Sequence, residues 1–171
     1  VLNLQTSPKT NDVVVVAPWD DVENIKPITR VNNPYAGNFI NKDSEFVILY
    51  SGNMGASHDI DSMLDAALLL KDRIDIQFLF IGEGEKFVDV EKFIMTHELK
   101  NISLFPFQPE SMIKYTLPLA DISLVSLDEG MEDLMVPSKT FYYLASGSAI
   151  MAIANINSEL SDLLDQNECG V

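Results

Sequence analysis

With 171 residues, 47% of them hydrophobic and 22% charged, the chain has the composition of one globular domain with a sizeable core. Lys and Arg total 11 against 26 Asp and Glu, a formal charge of -15, which argues against nucleic acid and anionic membranes as partners. The single cysteine, Cys169, excludes an internal disulfide and fits a reducing compartment, so the domain is expected to be cytoplasmic.

Residues 1–42 read as a linker segment with one short strand: a polar opening, the run Val13-Val14-Val15-Val16, then Pro18-Trp19-Asp20 and Asn32-Asn33-Pro34. Apolar stretches such as residues 13–18 fall far short of the roughly 20 residues that cross a bilayer, and no charged-then-apolar leader opens the chain, so no transmembrane segment is expected. The sequence opens on Val1 and stops at Cys169-Gly170-Val171 where a new strand begins, so it reads as a piece of a longer polypeptide with its C-terminal end truncated.

From residue 43 a regular cycle sets in. Residues 46–50 form a continuous apolar run, the pattern of a strand buried on both faces. Ile60, Met63, Leu64, Ala67 and Leu68 then recur at helical spacing. Further strands are expected at residues 77–81, 102–105, 122–126 and 149–153. Helices are expected around Phe87, Val90 and Ile94, around Met112, Ile113 and Leu117, at residues 138–146, and after Asn157 or Ser158 as N-cap, burying Leu160, Leu163 and Leu164. Strand and helix alternate, which predicts an α/β fold: a doubly wound, Rossmann-like parallel sheet with helices on both faces over residues 43–171. In such sheets ligands sit outside the carboxyl ends of the strands, so function is sought in the loops that follow them.

The first loop, Ser51-Gly52-Asn53-Met54-Gly55-Ala56-Ser57-His58, joins a buried strand to a helix start. Its glycines let backbone approach a ligand, and free N–H groups of the helix can hold an anion; the alternative is a tight turn with no ligand, and His58 is open in the same way. The fourth loop carries Gly130, Met131, Glu132 and Asp133 up to Val136-Pro137-Ser138-Lys139. A carboxylate beside an anion-ready helix start suits a ligand bearing both hydroxyls and phosphate, while the alternative is a solvated acidic loop and a capped helix.

Tyr50-Ser51-Gly52-Asn53-Met54-Gly55, Ile81-Gly82-Glu83-Gly84, Ala120-Asp121-Ile122-Ser123-Leu124-Val125 and Val136-Pro137-Ser138-Lys139 continuing to Leu144-Ala145-Ser146-Gly147 stand in order at these loops. Together they resemble the C-terminal, donor-binding half of the family 4 (group 1) glycosyltransferases of the GT-B fold. The resemblance runs over roughly residues 13–171, and the opening segment looks like the interdomain linker of members that build bacterial polysaccharides, lipopolysaccharide among them. It implies retaining transfer of a sugar from a nucleoside diphosphate, with uridine the first choice of base. The acceptor would be a glycan or a lipid-linked species at the inner face of the cytoplasmic membrane, reached through an N-terminal half that these residues do not contain. The donor is then a substrate, and neither cofactor nor metal is implied.

In the family two glutamates flank the proline. Glu132, five residues before Pro137, takes the first position, beside the donor sugar. The second, which holds the ribose hydroxyls, falls on Thr140 by counting and on Tyr142 by aligning Leu144-Ala145-Ser146-Gly147, and neither is a carboxylate. The family's basic residues after the first strand are replaced by Asn53 and His58, so phosphate binding leans on backbone amides and on Lys139, the one basic residue read in these loops. Lys139 would stabilise charge growing on the leaving diphosphate, and a solvated lysine is the alternative. Gly82, Glu83 and Phe107-Gln108-Pro109 are expected beside the base, unless Phe107 is plain core.

Other constellations are weaker. Asp59-Ile60-Asp61 resembles an Asp-x-Asp metal motif but sits at a helix start, where acids favour the dipole. His58 and His97 make no Cys/His metal spacing, His97 reads as a surface residue, and no Gly-x-Ser-x-Gly or Walker sequence appears. Two rivals remain: a nucleotide-sugar epimerase of the same GT-B architecture, which would carry more catalytic carboxylates and histidines, and a non-catalytic flavodoxin-like module, which would gather acids at the end of the first strand.

Overall fold

The five apolar runs expected to be strands pair side by side in one parallel sheet, seen in a computed structural model that describes residues 22–41, 44–56, 58–126 and 136–171. The strands are β1 (Phe46–Ser51), β2 (Ile76–Ile81), β3 (Ile102–Phe105), β4 (Ile122–Ser126) and β5 (Ala149–Ile153), in the order β3-β2-β1-β4-β5. β1 runs in register with β2 from Phe46↔Ile76 to Ser51↔Ile81, but with β4 only at Ile48↔Ile122 and Leu49↔Ser123. The expected Val13–Val16 strand lies outside the described residues.

Six helices cover the sheet among the described residues: α1 (Ala36–Phe39), α2 (Ile60–Leu69), α3 (Phe87–His97), α4 (Glu110–Thr116), α5 (Lys139–Ser146) and α6 (Glu159–Asn167). Because side chains alternate along a strand, one continuous apolar run feeds two cores. Val47, Leu49, Leu79, Ile81 and Val125 pack on one side with Phe39, Tyr143, Leu160 and Leu164, from α1, α5 and α6. Tyr50, Phe78, Phe80 and Leu124 pack on the other with Ile60, Met63, Leu64 and Val90, from α2 and α3. The sheet is doubly wound, as the alternation predicts.

Local chemistry sets the helix ends. The Asp59 side chain accepts from the Ser62 N–H at 3.0 Å and caps α2, while Asp61 pairs with Lys86 at 2.9 Å, so Asp59-Ile60-Asp61 serves a helix start. Ser158 caps α6 by accepting from Ser161 N–H at 3.1 Å. Gly147 ends α5 at φ 87°, and a Cβ there would stand 2.9 Å from Pro27 Cγ.

Residues 22–41 of the opening segment are tied to the sheet's amino edge. Ile25 and Phe39 join the first core. The Arg30 guanidinium pairs with Asp121, whose carboxylate also accepts from Val47 N–H at 2.7 Å, and donates to the carbonyls of Leu119 and Glu45. Buried Gln77 on β2 donates to Phe39 O and Ser103 Oγ, each at 2.8 Å, and accepts from Asn41 N–H and Ser44 Oγ. A buried amide with all of these partners holds the segment in one place.

Candidate functional site

The strand order reverses between β1 and β4, because successive crossovers first move one way from β1 and then the other; this leaves a crevice at the carboxyl edge where neighbouring loops part. The loop after β1 and the start of α5, which follows β4, meet there. Lys139 Nζ stands over the Tyr50 ring, 4.7 Å from its centroid, and 3.5 Å from where a Cβ on Gly52 would be. That nitrogen is shielded from water and has no hydrogen-bond partner among the described residues. Burial lowers the Lys139 pKa from 10.5 to about 8. A desolvated ammonium facing a glycine at a helix start can take an anion, which would supply the missing hydrogen bonds and charge.

The loop is held from beneath and from the side. The Tyr50 hydroxyl donates to Asn53 O at 2.6 Å, and the His58 ring centroid lies 6.5 Å from that of Tyr50. The loop after β2 presses against it backbone to backbone: Met54 N–H donates to Glu83 O at 2.7 Å, and Lys86 N–H donates to Met54 O at 2.9 Å. A Cβ on Gly82 would fall 1.9 Å from Gly52 O, and one on Gly84 2.6 Å from the Met54 carbonyl group, so both positions admit only glycine. The lysine that sequence reasoning passed over, Lys86, donates from Nζ to His58 O at 2.9 Å while paired with Asp61, and so pins the two loops together.

The sequence-derived residues therefore divide. Gly52, Asn53, Gly55, His58, Gly82 and Lys139 come together at the reversal. Met54 is fully buried in the second core with both backbone groups engaged, so it supports the loop from within rather than facing a ligand. Glu83 spends its carbonyl on Met54. Val136 is buried in the first core, Pro137 accepts from Thr140 N–H at 2.9 Å in the first turn of α5, and Ser138 is exposed at the helix mouth. Phe107 is 51% exposed, which removes the plain-core alternative, and stands with Gln108 at the end of β3, two strands from β1. Thr140 is fully buried, while Tyr142 lines a cleft of about 530 Å³ with Asn24, Glu110, Ser111 and Lys114. Gly130, Met131 and Glu132 lie outside the described residues. His97 is exposed and packs on Phe93, its ring centroid 4.4 Å away.

Sequence reasoning also missed Tyr143, fully buried on α5, whose hydroxyl accepts from Ser51 N–H at 3.0 Å and donates to Ser51 O at 2.7 Å. Its aromatic neighbours Phe141 and Tyr142 make it look like one more core residue. Among the described residues no group of three or more His, Cys, Asp and Glu is placed to hold a metal, and no helix is long and apolar enough to cross a membrane.

A parallel sheet in the order β3-β2-β1-β4-β5, wound on both faces and with its loops gathered at the reversal, is the Rossmann-like fold of the C-terminal domains of GT-B, group 1 glycosyltransferases. The C-terminal domain of LpcC, a glycosyl transferase group 1 family protein of Francisella tularensis, matches 78% of this chain and 69% of its own with a TM-score of 0.61 at 16% identity. In sequence, the "probable glycosyltransferase WbjE" of Pseudomonas aeruginosa is 28% identical over 165 residues, 95% of this chain and 41% of WbjE. WcaI of Escherichia coli (strain K12), named for colanic acid biosynthesis glycosyl transfer, is 26% identical over 90% of this chain and 38% of its own. The chain thus spans about two fifths of the length of the curated relatives it matches. No family model matches it. By sequence the chain is similar to glycosyltransferases, one of them named for colanic acid biosynthesis, and by fold to the C-terminal domain of a group 1 glycosyl transferase.

Proposed function

We propose that this chain is the donor-binding half of a retaining glycosyltransferase. It holds a nucleoside-diphosphate sugar, with a uridine diphosphate sugar the first candidate. The sugar goes to a glycan or lipid-linked acceptor that a second half of the protein presents, in the synthesis of a cell-surface polysaccharide. The observation that carries the reading is the Lys139 ammonium, buried without a hydrogen-bond partner among the described residues and facing Gly52 at the strand-order reversal. A diphosphate placed there meets one full positive charge and the positive end of the α5 dipole.

The chemistry follows from charge. As the bond from sugar to diphosphate breaks, negative charge collects on the leaving phosphate oxygens, and groups already fixed around them lower the barrier because they need no reorganisation. Lys139 and the amides at the start of α5 are such groups. In this reading Glu132, outside the described residues, contributes the carboxylate that meets the donor sugar, and the loops carrying Glu83, Phe107 and Gln108 serve the base. The position of the family's ribose glutamate falls on Thr140 by counting and on Tyr142 by alignment; Thr140 is fully buried, so in this reading the Tyr142 phenol is the group left to meet the ribose. The reading needs no metal, because the lysine and the helix start supply the positive charge.

The test is a titration of the chain with UDP, GDP and ADP followed by backbone amide shifts. One diphosphate is expected to bind selectively and to move the resonances of Gly52, Asn53, Gly55, Ser138 and Lys139. Lys139→Ala should weaken it roughly tenfold to a hundredfold, the loss of one charge-assisted contact. No shift at these residues with any of the three at millimolar concentration would remove the donor reading from this chain.

A further inference from the structure

We infer that Tyr143 is a positioning residue: its hydroxyl closes the open end of β1 and thereby seats Lys139, one helical turn earlier on α5, against Gly52 over the Tyr50 ring. The sheet has a gap at this point. β1 continues to Ser51, but its pairing with β4 is confined to Ile48↔Ile122 and Leu49↔Ser123. Gly52 N–H reaches Ile81 O on the β2 side, so the peptide groups of Ser51, one residue earlier, point to the side from which β4 has diverged. Peptide groups in a buried strand need partners, and among the described residues no strand offers them there.

The Tyr143 hydroxyl fills that gap, accepting from Ser51 N–H at 3.0 Å and donating to Ser51 O at 2.7 Å. A hydroxyl is one of the few side-chain groups that can do both at once. The phenol is fully buried, and burial raises its pKa, so it stays protonated and keeps the donor that Ser51 O requires. Residues four apart on a helix share one face, so the turn that aims Tyr143 at Ser51 aims Lys139 at Tyr50 and Gly52. Tyr50 completes the frame, with its ring under the ammonium and its hydroxyl on Asn53 O. The register between α5 and the first loop is thus set by a side-chain bond, not by the sheet ladder.

Tyr50 lies beneath the Lys139 ammonium, His58 beyond the Tyr50 ring, and Tyr143 one turn along α5. Without the Ser51 clamp, the first turn of α5 is free to shift and water reaches the ammonium. The consequence for diphosphate binding rests on the donor-half reading, but the seating of Lys139 is a property of the free chain and is measured there.

The experiment follows the Lys139 side-chain carbon resonances through pH 6 to 11 in the unliganded chain and in Tyr143→Phe, together with amide hydrogen exchange at Ser51. Expected are a Lys139 midpoint near 8 in the original chain and a rise of at least about one pH unit in the variant, towards the ordinary lysine value. Ser51 exchange should be slow in the original and at least about tenfold faster in the variant. Equal midpoints and equal Ser51 exchange in the two proteins would overturn the inference. If Tyr143→Phe does not fold, the original chain decides: a protected Ser51 amide supports the clamp, and one exchanging as fast as an exposed loop amide defeats it. Inorganic pyrophosphate and UDP should each bind the variant roughly tenfold more weakly. If neither binds the original chain while the Lys139 midpoint moves, the donor reading falls and the positioning role stands.

Discussion

Lys139 works against the stability of its own domain. A lysine whose folded pKa is about 8 and whose unfolded pKa is 10.5 binds fewer protons in the folded state across that interval. Stability therefore rises with pH between about 8 and 10.5, and the cost of burying the ammonium is fully present below pH 8. Lys139→Met, which fills the same space without charge, is expected to be more stable at pH 7 by up to about 3 kcal/mol and to lose the rise between pH 8 and 10.5. Urea unfolding of both proteins at pH 7 and pH 10 measures this, and a flat profile in the original chain would contradict the buried ammonium. The same substitution should weaken diphosphate binding, so stability and affinity move in opposite directions, as happens where a site is kept strained for function. At this scale the sequence marked Lys139 by its place after Pro137, but not its burial, because Tyr50 and Gly52 are about ninety positions away in the chain and meet it only through the sheet.

Between elements, the site depends on two loops lying in backbone contact. Gly52, Gly82 and Gly84 were all legible as turn glycines, but not that the tightest constraint is on Gly82, where a Cβ would fall 1.9 Å from Gly52 O. That oxygen belongs to main chain and cannot turn aside as a flexible side chain would. Gly82→Ala is therefore expected to destabilise the domain by about 2 kcal/mol or more and to push the first loop off Lys139. The check is a thermal melt together with the amide shifts of Gly52 to Gly55, which should move without ligand; an unshifted loop and unchanged melting would mean that the two loops part easily. The helix starts were better legible. Asp59 stands at the expected helix start and caps it, and of the two expected caps, Asn157 and Ser158, it is Ser158 that caps α6, because a cap is an interaction within one turn of chain. Lys86 and Tyr143 escaped notice because they act across loops: one reaches His58 O, 28 positions away, and the other Ser51, 92 positions away.

At the scale of the molecule, the chain matches 41% of WbjE and 38% of WcaI. On the proposed reading, a donor half alone would hold the leaving group and present nothing to attack the sugar. We therefore expect the chain by itself to bind nucleoside diphosphate and to show no sugar transfer. Incubation with a radiolabelled nucleotide sugar and a lipid-linked or glycan acceptor tests this, and transfer above the buffer control would contradict it. Residues 22–41 show how parts that look separate in sequence combine: Pro27, Asn33 and the polar run around them have the texture of a connection, but Ile25, Phe39 and the Gln77 amide bind them to the core.

The sequence by itself determined the alternation of strand and helix, the double-sided sheet and the loops worth reading, because each of these follows from hydrophobic period and turn chemistry within about ten residues of chain. Tertiary structure alone decided the rest. The strand order created the reversal, the early parting of β1 from β4 left Ser51 to Tyr143, and that clamp brought a lysine, a tyrosine ring and a glycine from distant positions into one desolvated corner. Those contacts depend on which strands become neighbours, and no local pattern encodes the distance between Lys139 and Gly52.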